Sequence, residues 1–188
     1  MLSDLDEKLD PRIERTRTSI LEAFSDMLAE QNFEAISVKD VTGRAQINRA
    51  TFYAHFQDKY ALLDHAIQSM FVAEIEKRTL NVCSYTPENL RNLIGAVCEF
   101  LGNLHSSCTQ PHQQFESLVE GTIKKQIFDL LSHWLRQSAG STEIPVTVAT
   151  WAIYGLASHY SHARPRPALD KFVAEAFPYV AASLAQFP

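Results

Sequence analysis

With 188 residues, 46% of them hydrophobic and 10% aromatic, the chain has enough apolar material for one or two real cores, and this excludes a disordered polymer. A formal charge of −5 and a pI near 5.8 exclude a global positive field, so any contact with nucleic acid must come from a local patch. Two basic islands meet that need: Arg12, Arg15 and Arg17 around Glu14, and Lys39, Arg44, Arg49 and Lys59 set against Asp40 and Asp58.

Only six glycines are present, and Ala, Leu, Glu, Gln and Lys fill the long segments without alternating Val or Ile runs, so the expected class is all-α. The N-terminus, MLSDLDEKLDPR, is acidic and lacks an apolar targeting core. The longest apolar run, Val146 to Ala157, is too short to span a bilayer, so a cytoplasmic protein is expected. Cys83, Cys98 and Cys108 lack CxxC spacing and read as reduced thiols.

In chain order, the first predicted helix runs from Pro11 to about Gln31, with Ile13, Ile20, Phe24, Met27 and Leu28 on one face and Asn32 suited to a left-handed stop. Ser37 caps a second helix, Val38 to Ala45, with Asp40 as capping-box partner. Gln46 and Ile47 form the turn. Asn48 then caps a third helix, Arg49 to about His55, which buries Phe52 and Phe56. The expected core of these three helices is Ile20, Phe24, Val41, Ile47, Phe52 and Phe56.

Asp58 caps a long helix from Lys59 to about Thr79, with Leu62, Leu63, Ile67, Met70, Phe71 and Ile75 as its apolar set. Thr86-Pro87-Glu88 starts the next, which carries Leu90, Leu93, Ile94, Val97, Phe100, Leu101 and Leu104. A loop over His105 to His112 leads to a helix over Phe115 to Gln137, and a second loop contains Gly140. Two Ala-rich segments, Pro145 to about Ala163 and Pro167 to about Phe187, flank the breaker Arg164-Pro165-Arg166-Pro167. Pro178 is expected to kink the last helix.

Two short helices joined by a tight turn, the second presenting Arg49, Thr51, Tyr53 and His55, form a helix-turn-helix layout whose second helix enters the DNA major groove. The order Ile20 to Leu28, Ser37-Val38-Lys39-Asp40-Val41, Ala45, Ile47, Thr51-Phe52-Tyr53-Ala54-His55-Phe56, Asp58-Lys59, Leu62 and Leu63 resembles the tetracycline-repressor (TetR) family of bacterial transcriptional regulators. By motif the resemblance covers about the first third of the chain. It implies an N-terminal three-helix helix-turn-helix DNA-binding domain, a C-terminal helical ligand-binding and dimerisation domain, and a homodimer. The expected division is 10–57 for DNA binding, 58–80 for a connecting helix, and 81–188 for regulation and dimerisation.

The chain departs from the usual family pattern at Gln46 and Asn48, where glycine and serine are common, and at Ala50, where glycine often precedes the threonine. A non-glycine residue in a left-handed turn costs roughly 1 kcal/mol.

The resemblance assigns phosphate contacts to Tyr53, His55 and Lys59, each of which offers a donor at or just beyond the third helix. Ser37, Lys39 and Arg44 add donors on the flanking helix. Arg49 is the expected base reader, since a guanidinium donates two parallel hydrogen bonds to guanine; Thr51 and Gln46 are candidates for a thymine methyl and an adenine edge. Such a motif reads a few base pairs, so a palindromic double-stranded operator and a dimer are needed. The two C-terminal helices, rich in small residues, suit that dimer.

For the regulatory half, Phe100, Phe128, Trp134, Trp151, Tyr154, His159 and Tyr160 supply the aromatic and polar mix of a pocket for a small-molecule effector. A protein co-regulator acting on the same DNA-binding module is the alternative partner. His105, Cys108 and His112 crowd one loop, and His159 and His162 lie close together, yet neither group has metal-ligand spacing. No GxSxG, P-loop, GxGxxG or HExxH motif occurs, so neither an enzyme nor a cofactor is expected.

Overall fold

The computed structural model describes residues 10–78, 84–107, 113–136 and 143–185, and among them are eight α-helices and no strand. The chain divides into two compact units, with the boundary between Ala66 and Ile67.

The first unit opens with α1 (Pro11–Glu30). The Asp10 carboxylate accepts from the Arg12 N–H at 2.9 Å, Pro11 fills the first helical position, and Ile20, Ala23, Phe24 and Met27 turn one buried face inward at spacings of three, four and seven. Ile13, expected on that face, is exposed because it lies two turns before the core begins. Asn32 does not take the left-handed conformation; at φ −65° it is extended and leads into a 3₁₀ turn at Phe33–Ala35. That turn buries Phe33 edge-on against Phe24 and Tyr60, at centroid distances of 6.2 and 5.3 Å.

Helix α2 (Val38–Arg44) has the complete capping box: the Asp40 N–H donates to Ser37 Oγ, and the Asp40 carboxylate accepts from the Ser37 N–H at 3.0 Å. The Ser37 hydroxyl also donates to the Asp40 carboxylate, and this bond first, then that from the Ser37 N–H, holds the Asp40 pKa below its ordinary value. Helix α3 (Arg49–His55) is capped by Asn48, whose Oδ1 accepts from the Thr51 N–H at 2.8 Å. Between them Gln46 has φ 54°, the left-handed conformation anticipated for this turn. Phe52 and Phe56, one helical turn apart, are both buried, whereas Ile47 is half-buried. Helix α4 (Lys59–Glu76) starts with Asp58 Oδ1 accepting from the Tyr60 and Ala61 N–H groups at 2.9 and 2.8 Å. Its last residue is Glu76, short of the expected Thr79, and Met70 is exposed.

The second unit contains α5 (Pro87–Ser107), α6 (Gln113–Trp134), α7 (Glu143–His162) and α8 (Leu169–Ser183). Helix α5 is its most enclosed element: Leu90, Leu93, Ile94, Ala96, Val97 and Leu101 are buried, and the helix continues past the point where a loop was expected at His105. Gly95 and Gly102 lie seven residues apart on one side of α5 and leave room for two guanidinium groups. A Cβ at either position would stand 3.0 Å from Arg78 or 3.3 Å from Arg166. Arg166 donates to Gly102 O and Ser161 O at 3.1 and 3.0 Å, and Arg164 donates to Ser161 O at 3.0 Å. The Arg-Pro-Arg-Pro breaker is therefore also a cap, satisfying the Ser161 carbonyl in the last turn of α7 with two cations where the helix dipole favours them.

Pro145 is accommodated in the first turn of α7, where its missing N–H has no helical partner to lose, and Pro178 lies inside α8. Among the described residues no helix is long and apolar enough to cross a membrane. Replacing Gln46 by glycine removes the left-handed strain at the α2–α3 turn, and thermal unfolding should show the first unit stabilised by about 0.5–1 kcal/mol. A lower midpoint for Gln46→Gly would show that the Gln46 side chain contributes more than its backbone costs.

Candidate nucleic-acid interface

The outward face of α3 follows from the inward one. With Phe52 and Phe56 buried, a period of 3.6 residues turns Ala50 and Ala54 to the opposite side and Tyr53 to the flank between, while Arg49, one turn before Phe52, stands at the first position of the helix; all four are exposed, Tyr53 to 55%. Tyr53 packs edge-on against Phe52 at 5.5 Å, which fixes its ring while leaving the residue exposed. Lys39 on α2 and Gln46 in the turn are exposed as well, and His55 is half-buried with its ring 6.4 Å from that of Phe56.

Several expected donors are already occupied. Thr51 Oγ1 donates to Asn48 Oδ1 at 3.0 Å, so its hydroxyl is part of the α3 cap. The Ser37 hydroxyl and its own N–H both go to the Asp40 carboxylate. Arg44 makes a two-pronged pair with Glu30, at 2.9 and 2.7 Å, that holds the Glu30 carboxyl below its usual range and raises the Arg44 pKa. The Lys59 ammonium donates to Phe33 O, Glu34 O and Ile36 O at 3.2, 3.2 and 3.1 Å. Of the basic island read between residues 37 and 59, the cations left exposed without such ties are Lys39 and Arg49.

Two features escape sequence reading. Ala50 and Ala54 place two methyl groups on the outward face, a signal available from helical periodicity but masked by their lack of polar atoms. Arg17 on α1 lies over the Phe56 ring at 5.4 Å and meets His65 Nδ1 at 3.3 Å, while Phe56 and His65 are 5.8 Å apart. Forty-eight residues separate Arg17 from His65, beyond the reach of any local pattern. Burial first, then the Arg17 charge, pushes the His65 pKa down, with Asp64 opposing.

In the second unit the seven expected pocket residues do not share one interior surface. Phe100 and Trp134 are buried, Phe100 edge-on to Phe71 at 5.4 Å. Phe128 and Tyr154 are half-buried, whereas Trp151 is 60% exposed and His159 is exposed beside Phe172. Trp151 and His159 are thus corrected from pocket wall to surface: α7 is apolar on nearly every side, so its sequence does not mark which side faces inward. Tyr160, by contrast, is buried against Phe172 at 5.1 Å.

The Lys124 ammonium lies 3.1 Å from the Trp151 ring centre and 5.1 Å from that of Tyr154, and it pairs with Glu120. Burial, with Glu120 and Glu116 adding to it, pushes the Tyr154 phenol up to about 12. Cys98 is fully buried and its thiol is likewise pushed up to about 12, which leaves it unreactive. Cys83, Cys108, His112 and the His105 side chain lie outside the described residues. Among those described, no group of three or more His, Cys, Asp or Glu is arranged to hold a metal.

Residues 20–66 match the family described as bacterial regulatory proteins, tetR family. The HTH-type transcriptional regulator YxbF of Bacillus subtilis (strain 168) is 38% identical over 76 residues, 40% of this chain and 20% of that protein. YdeS of the same organism is 38% identical over 53 residues, 28% of this chain and 27% of that protein. The matches thus span only about a fifth to a quarter of these curated relatives.

Among solved structures, a TetR-family regulator from Streptomyces coelicolor A3 superposes with a TM-score of 0.65 at 17% identity, covering 92% of this chain and 96% of that one. FadR from Bacillus subtilis, solved in complex with stearoyl-CoA, gives 0.53 at 13% identity over 88% and 98% of the two chains. At these identities the likeness is one of fold.

His65 supplies a pH test of the first unit. Its folded pKa is depressed, so its contribution to stability is complete above the ordinary value of 6.5 and is lost as pH falls through the lowered one. Thermal melts from pH 7.5 downward should show the midpoint of the unchanged protein falling more steeply below about pH 6.5 than that of His65→Gln. Parallel curves would show that His65 has no part in the pH dependence.

Proposed function

We propose that this chain, which belongs through its first unit to the tetR family of bacterial regulatory proteins, is a homodimeric repressor of transcription that a small molecule releases from its operator. The observation that carries the DNA-binding part is the exposed α3 surface: Ala50, Tyr53 and Ala54, turned out by the buried Phe52 and Phe56, and Arg49, exposed at the start of the helix. Arg49 reads a guanine edge through two parallel hydrogen bonds, Tyr53 and Lys39 hold phosphates, and the two alanine methyls face the floor of the groove.

A single α3 reads too few base pairs for useful affinity, so two copies bind half-sites about one turn of DNA, or a multiple, apart. The second unit supports the pairing. Ile144, Val148, Trp151 and Gly155 recur at spacings of four, three and four along α7 and are all exposed, and Tyr179 on α8 is 77% exposed. Ala149 and Ala157, by contrast, are buried within their own unit. Exposed apolar rows on a helix mark a surface that a partner covers, here a second copy of the same helices.

Release is a population shift, in which the effector binds one of two arrangements of the dimer more tightly and DNA binds the other. A coupling of about 1–3 kcal/mol gives roughly 5- to 150-fold induction. The fold match to a regulator solved with stearoyl-CoA supports a small-molecule effector held in the helical second unit.

Two outcomes are expected. In anisotropy titrations against a duplex selected from random DNA, Arg49→Ala should lose about 1–3 kcal/mol of discrimination at one base pair per half-site while keeping its non-specific affinity. An unchanged sequence preference would remove Arg49 as the base reader. In sedimentation, Trp151→Glu should dissociate the dimer, and its operator affinity should fall with it. A dimer that survives this substitution would move the pairing surface elsewhere.

A further inference from the structure

A lysine in the first turn of a helix is badly placed, because the helix dipole presents partial positive charge there. Lys59 occupies that position in α4, which has no acidic residue in its first turn to compensate. The compensation comes from outside the helix. An ammonium carries three protons, and those of Lys59 meet three backbone carbonyls, Phe33 O, Glu34 O and Ile36 O, at 3.1–3.2 Å. The cation also lies 4.5 Å from the Phe33 ring centre and 5.6 Å from that of Tyr60, with a Glu34 oxygen at 3.9 Å. Its side chain is only 17% exposed.

These acceptors have a particular place in the chain. They belong to the segment that ends at Ile36, immediately before the Ser37 cap of α2, while Lys59 follows immediately after Asp58, where the chain leaves α3. All of α2, the turn and α3 therefore lies between the two ends that this ammonium joins.

We propose that Lys59 is a positioning residue for DNA recognition: its ammonium clasps the entrance and exit of the helix-turn-helix together and makes no phosphate contact itself. All three of its protons are committed to carbonyls, so none remains for a phosphate oxygen. Closing the segment at its base reduces the freedom of everything between residues 37 and 58, which carries Lys39, Arg49 and Tyr53. The inference rests on the DNA-binding reading above.

Two substitutions separate a clasp from a phosphate contact. Lys59→Met removes the charge and its donors. Lys59→Arg keeps a cation that serves phosphates well, but its planar fork cannot replace a three-pronged donor centred on one nitrogen. Dimeric full-length protein, folded by circular dichroism, is titrated with its selected duplex over a range of salt.

The clasp predicts that both variants lose on the order of tenfold or more in affinity, with the slope of log affinity against log salt unchanged. A slope shallower by about 1.8 in Lys59→Met, one phosphate for each protomer of the dimer, overturns it, as does Lys59→Arg binding within about twofold of the unchanged protein, or full affinity in Lys59→Met. Amide hydrogen exchange gives a readout independent of DNA: in Lys59→Met, protection should fall across residues 37–55 while the α1 core around Phe24 keeps its own. Unaltered protection across 37–55 also overturns the clasp. If the unchanged protein binds no duplex, the DNA-binding reading fails on its own and hydrogen exchange decides the clasp.

Discussion

The burial of Phe52 and Phe56 on one side of α3 is the constraint from which the rest of the first unit follows. Two phenylalanine side chains removed from water contribute about 3–6 kcal/mol together, while an exposed polar contact contributes about 0–1 kcal/mol. Rolling the helix to present another face would expose both rings to water in exchange for a weaker polar contact, so Ala50, Tyr53 and Ala54 stay outward, and Arg49 is exposed beside them at the first position of the helix. Caps then fix the ends: Ser37 and Asp40 on α2, Asn48 and Thr51 on α3, Asp58 on α4. The cost is a left-handed Gln46, a local strain that packing on either side of the turn outweighs.

Charge in this unit divides into two groups by use. Arg17, Arg44 and Lys59 are turned against Phe56 and His65, Glu30, and the 33–36 carbonyls, so they hold elements together. Lys39 and Arg49 remain exposed around the helix-turn-helix, with Arg12 and Arg15 exposed on α1, so the positive surface stays small on a chain of net charge −5. A small patch suits a reader of specific sites, because little non-specific attraction competes with base contacts. In the second unit Arg78 and Arg166 work in the same structural way, seated where Gly95 and Gly102 leave space on α5.

The helices and their starts were legible because they rest on local rules. Ser37, Asn48, Asp58 and Thr86 are short polar side chains that satisfy amides two or three residues ahead, and such bonds can be read from neighbouring letters. What was not legible is long-range. Glu30 stands fourteen residues from Arg44, and the acceptors of Lys59 are backbone carbonyls with no signature in the sequence. Inward and outward sides were readable on α1 and α5, which are amphipathic. They were not on α7, where Trp151 faces solvent and Ile153 faces the core on a helix that is apolar almost all round.

The central claim is that the α3 faces of two copies enter successive major grooves of one duplex. Hydroxyl-radical footprinting of the full-length protein on its selected duplex tests it most directly. Two protected patches related by a two-fold axis are expected, with half-site centres about 10–10.5 base pairs, or a multiple of that, apart. A single patch, or protection that spreads evenly along the duplex without that period, would contradict it.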